Sequence, residues 1–152
     1  MSMKIDTVSD LHLEFTQDLP VFTGGDVLIL AGDILGADYL NPKRTDARAR
    51  AARKRYKAFF NMVNKLYKDI IYVFGNHEYY GCDFDEVHDI ISEFTSNWPR
   101  VVILNNNTHV VSDVIFVGST MWTPMGTNNG MDYLISKWAQ DFSQITRINQ
   151  YI

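Results

Sequence analysis

The chain has 152 residues, 46% of them hydrophobic and 21% charged, with a net charge of −4; this composition describes one globular domain with a real core and excludes the disordered and fibrous classes. The start, MSMKIDTVSD, lacks the cationic and apolar parts of a secretion signal, and no apolar run approaches the ~18 residues of a membrane span. The one cysteine, Cys82, cannot form an internal disulfide, so a cytoplasmic protein with no thiol-based metal site is expected, and no membrane partner.

KIDTVS and the run VLILA at 27–31 read as short strands, and DVLILAGD is continuously apolar, as in a strand buried on both faces. From Thr45 to about Lys68 the pattern turns helical. Ala52, Tyr56, Phe59, Phe60, Val63 and Leu66 recur there at three and four, with Thr45 as the expected N-cap. The start of that helix is strongly basic: residues 43–57 hold eight Lys or Arg and one acid, Asp46. A solvated helix face explains such a run, and phosphate or nucleic-acid contact is the functional alternative.

IIYVF at 70–74 predicts a third strand, and residues 85–96 a second amphipathic helix carrying Val87, Ile90, Ile91 and Phe94. VVILNN predicts a fourth strand. Strands and helices in alternation imply a mainly parallel sheet in the α/β class. NNNTHVVSDVIFVGS then reads as a hairpin. Residues 131–151 return to helical spacing, with Leu134, Trp138, Phe142 and Ile145 as the expected inner face.

Polar residues collect at the strand ends. In SDLHLEF, Asp10 and His12 stand two apart on an expected extended segment, so their side chains project to one side and can share an ion. Asp33 follows VLILAG directly, and Asn76 and His77 follow IIYVFG. The carboxyl edge of an open parallel sheet is where ligands bind. An imidazole, two carboxylates and an amide suit Mn, Fe, Zn, Ni or Mg. If Asp33 lies between the other two strand ends, it can bridge a pair of ions, with Asn76 binding through its amide oxygen and His77, directed away from Asn76, free to contact substrate. Taken singly, each residue has an ordinary explanation as a cap or turn former.

SDLHLEF, AGD and FGNHE in succession resemble the calcineurin-like metallophosphoesterase family of bacterial or phage type, whose signature runs Asp-x-His, Gly-Asp, Gly-Asn-His-Asp/Glu. VGSTMWTP and DFSQI are similar to segments that follow in that family. The resemblance implies a sandwich of mixed β-sheets flanked by helices, in a single domain over residues 1–152, and hydrolysis of a phosphomonoester or phosphodiester at a centre of two divalent metals, Mn favoured. Carried over, Asp10 and His12 bind the first metal, Asp33 bridges, Asn76 binds the second, and His77 is the acid or phosphate contact, with Glu14 and Glu78 behind them.

Two positions depart from the family pattern. Gly36 stands where an acid is common, with Asp38 two further on. The family also completes its metals with a later histidine and a Gly-His-x-His, whereas no histidine follows His109. The resemblance therefore implies a domain incomplete at its C-terminal end. His88 and His109 are expected at surface or rim positions. The expected partner is a small phosphoester or a nucleotide, with nucleic acid less favoured. The uncovered sheet face of an incomplete sandwich predicts self-association as a homo-oligomer. The alternative reading is a non-catalytic shortened relative that binds phosphate or a partner.

Overall fold

The computed structural model describes residues 2–122 and 137–148. Four strands, β1 (Ile5–Val8), β2 (Gly25–Ala31), β3 (Tyr67–Val73) and β4 (Val101–Ile103), form one parallel sheet in sequence order. Between them run helices α1 (Ala47–Leu66) and α2 (Val87–Thr95). Successive crossovers of one hand along a sheet that grows in one direction put both helices on the same face. Leu28, Leu30, Ile70 and Tyr72 of the sheet accordingly share a buried cluster with Tyr56, Phe59, Phe60, Val63, Val87 and Ile91 of the helices.

Val27, Ile71 and Leu104 form a smaller cluster on the other face. It is covered by an antiparallel hairpin, β5 (Asn107–Val111) with β6 (Val114–Gly118), whose Val111 and Phe116 pack inward. The opposite side of the hairpin leaves Val110, Ile115 and Val117 exposed.

Several expectations are corrected. The cap of α1 is Asp46, not Thr45, because Asp46 has extended dihedrals and its Oδ1 accepts the N–H of Ala49 at 3.0 Å. Helix α1 stops at Leu66, which is 37% exposed, and β3 begins at the next residue, three earlier than the apolar run suggests. The segment carrying Asp10 and His12 is not extended: β1 stops at Val8, and both residues have left-handed backbone, with φ of 55° and 42°. The expected helix over 131–151 falls partly outside the described residues, including Leu134. Within them, α3 spans Asp141–Gln144; Ile145 is buried, whereas Trp138 is 83% exposed and belongs to no inner face.

The basic stretch is largely engaged with the protein's own chain. Arg53 donates to the carbonyls of Tyr39 and Arg44, Arg55 to those of Leu13 and Glu14, and Arg44 pairs with Asp38 and Asp46. These cations tie α1 to the loops at the carboxyl edge of the sheet.

Candidate metal centre

Register positions the site. Ala31 lies opposite Val73, so the residues leaving β2 and β3 emerge side by side. The segment after β1 follows them, with the N–H of Asp10 bonded to the Gly32 carbonyl and that of His12 to the Asp33 carbonyl, both at 3.0 Å. The loops approach so closely that only glycine fits at two points. A Cβ on Gly32, where φ is +87°, would stand 2.9 Å from the Gly75 backbone, and one on Gly75 would overlap Asp33 Oδ1. Asp33, like Asp10 and His12, has positive φ (56°). Asp and His tolerate that region better than bulkier residues do, and three such residues at one edge mark a strained, over-determined site.

Ligand atoms of His12, Asp33 and His77 lie within 4.8 Å of one another. The rings of His12 and His77 meet edge to face at 4.5 Å, and Tyr80 stacks on the other imidazole, that of His77, at 4.2 Å. Asp33 Oδ1 accepts the backbone N–H of His77 at 3.0 Å, while its Oδ2 accepts no hydrogen bond among the described residues. His12 Nδ1 is buried without a hydrogen-bond partner, with Glu14 Oε1 3.6 Å away. A buried polar atom in that state is costly. A metal-bound histidine turns one nitrogen to the ion and the other toward a carboxylate, so the His12 imidazole with Glu14 behind it, beside the half-open Asp33 carboxylate, fits a divalent ion.

Asp10 is exposed and stands outside this group of three. Asn76 sits at the start of a 3₁₀ turn, His77–Tyr79. Its Nδ2 donates to Asp141 Oδ1 at 2.8 Å and to the Tyr80 hydroxyl at 3.1 Å, which leaves its Oδ1 available. Tyr80 also donates to Asp141, and its phenol is pushed up to about 12 by burial and by that carboxylate.

Glu78 is fully buried and is the anchor of the whole edge. Its Oε1 accepts from the backbone N–H of Ile34 and Leu35 and from the Tyr72 hydroxyl; its Oε2 accepts from the N–H of Asp33 and Gly75. Burial raises the pKa of this carboxyl, and the Tyr72 phenol and the backbone donors pull it back. One carboxylate thus holds the loops after β2 and β3 together.

The family description "Calcineurin-like phosphoesterase" matches residues 3–144. The chain belongs to the calcineurin-like phosphoesterase family. It is similar to the crystal structure of the phosphopantetheinyl hydrolase from Mycobacterium tuberculosis, with a TM-score of 0.56 and 19% identity, over 95% of this chain and 55% of that one. That likeness concerns the fold. It is also 30% identical over 101 residues to the uncharacterized protein L509 of Acanthamoeba polyphaga mimivirus, covering 63% of this chain and 35% of the other. The chain thus spans about a third to a half of the length of these relatives.

The structure brings His12, Asp33 and His77 together and sets Asn76 beside them. His88 is exposed on α2, and His109 is half-buried in the hairpin. Asp141 was given no role from the sequence, although it lies in the DFSQI segment. A carboxylate 65 positions from Asn76 meets it only through the fold, and that resemblance was the one signal available.

Proposed function

We propose that this chain hydrolyses a phosphoester with the help of divalent metal. The observation that carries the reading is the convergence of His12, Asp33 and His77 within 4.8 Å, from three separate loops at one sheet edge. Asp10 and His12 would hold a first ion, Asp33 would bridge to a second, and Asn76 would bind that second ion through Oδ1. Mn²⁺ is the favoured ion, with Fe, Zn, Ni or Mg as the other candidates of the same ligand preference. Such ions, when bound, neutralise phosphoryl charge and lower the pKa of coordinated water.

The side chains have separable tasks. His77 would hold the proton delivered to the leaving oxygen. Its ring is fixed on one face by Tyr80 and its backbone by Asp33 Oδ1, so the imidazole keeps one orientation. Glu14 is the acceptor nearest to His12 Nδ1 and would fix that ring's tautomer. Asp141 turns the Asn76 amide so that its oxygen is the open end.

The test is hydrolysis of bis(p-nitrophenyl) phosphate after chelation and after readdition of Mn²⁺. Turnover should appear with the ion and vanish with EDTA. His77→Ala should lower turnover by roughly 10²-fold while metal content stays near wild type, as expected for lost acid catalysis. Absence of turnover with each of the candidate ions overturns the proposal, and metal loss in His77→Ala would make His77 a ligand.

A further inference from the structure

Beside the metal centre lies a cleft of about 350 Å³ whose lining includes His77, Tyr80, Phe15, Tyr39, Gln140 and Gln144. Its walls are unusual for a surface depression. Phe15 is 54% exposed, and its ring lies 6.2 Å from that of His12. The Arg48 guanidinium stands over Phe15 at 4.9 Å and over Tyr39 at 5.7 Å, and makes no ion pair among the described residues. Arg44 lies over the same Tyr39 ring at 4.1 Å. An exposed ring next to reacting groups, with guanidinium groups over the neighbouring aromatic rings, is a surface suited to stacking planar molecules.

The cleft also has polar lining. The side-chain amides of Gln140 and Gln144 line it and hold no hydrogen bond among the described residues. Each offers two donors and an acceptor, the set needed to read the edge of a heterocycle. The volume is at the small end of the roughly 300–1,000 Å³ range of small-molecule sites, which suits one ring with its sugar and excludes a polymer.

We propose that this cleft binds the organic part of the substrate, and that this part carries an aromatic heterocycle, stacked against Phe15 and Tyr39 and read at its edge by Gln140 and Gln144. The inference rests on the hydrolase reading, since it takes the phosphoester to lie at His77. It assigns the substrate class as a small nucleotide-like phosphoester.

The experiment compares the calorimetric affinities of AMP and of ribose 5-phosphate for the Mn²⁺-loaded chain, with inorganic phosphate as a third probe. AMP should bind about tenfold or more tighter than ribose 5-phosphate, the gain expected from one stacked base. Phe15→Leu, which keeps an apolar side chain but removes the ring, should bring the ratio close to one, and Phe15→Tyr should restore it. Equal affinities in the wild type, or a ratio that survives Phe15→Leu, overturn the cleft proposal while leaving phosphoester binding intact. Failure of all three probes to bind overturns it together with the hydrolase reading.

Discussion

Glu78 carries more of the site than any residue that would touch a metal. Its two oxygens accept four backbone N–H groups and one phenol in a fully buried position. Glu78→Gln is the most informative single change, because the amide keeps the volume and replaces one acceptor by a donor. Whichever way the amide lies, its NH₂ meets at least two groups that also donate. The variant should lose about 2–4 kcal/mol in denaturant unfolding, from buried groups left unpaired, and metal affinity should fall roughly 10–100-fold as the loops shift. A Glu78→Gln protein with wild-type stability and wild-type metal affinity would remove Glu78 from the clamp. Asp33 divides its carboxylate in a related way: one oxygen orders the chain that carries His77, and the other is left open. At this scale the FGNHE motif disclosed which residues matter, but not what Glu78 does, since its partners lie up to 45 positions away.

At the scale of elements, α1 shows how local rules and tertiary contacts divide the work. Its buried stripe of Ala52, Tyr56, Phe59, Phe60 and Val63 was legible from spacing alone, because each residue faces the same sheet surface. Its cap lies one residue beyond the expected Thr45, since Thr45 and Asp46 are both good caps and only the dihedrals decide between them. Asp46→Ala should therefore lower the melting temperature measurably, while Thr45→Ala should not. The Asp46 carboxyl is held below the usual range by the Ala49 N–H and by Arg44. Its folded pKa is thus below its unfolded value, so its contribution is present above about pH 4 and is lost as pH falls through the depressed folded value. Melting curves of wild type and Asp46→Ala should converge in acid; a gap that persists unchanged below that range would refute the cap. The parallel sense was also legible, because strands and helices in alternation imply a parallel sheet. The left-handed turns at Asp10, His12 and Asp33 were not, because they arise where three loops are forced together.

For the whole molecule, the central point is that the groups of the candidate site have no neighbours in sequence. His12, Asp33 and His77 come from the ends of β1, β2 and β3, so the two proposed ligands and the proposed acid meet only in the folded chain. The sheet register, the two close-approach glycines and the Glu78 clamp all serve that meeting. The sequence made the three strand ends visible, and the resemblance attached a chemistry to them. It could not show the inward position of His77 beside His12, which depends on the 3₁₀ turn and on the stack against Tyr80. Calorimetric titration of Mn²⁺ into the metal-stripped chain and into Asp33→Asn tests this most directly. The account predicts saturable binding by the wild type and an affinity at least about tenfold weaker, ~1.4 kcal/mol, in Asp33→Asn, whose fold should remain intact. No binding by the wild type, or equal binding by Asp33→Asn, would contradict a metal centre at this edge of the sheet.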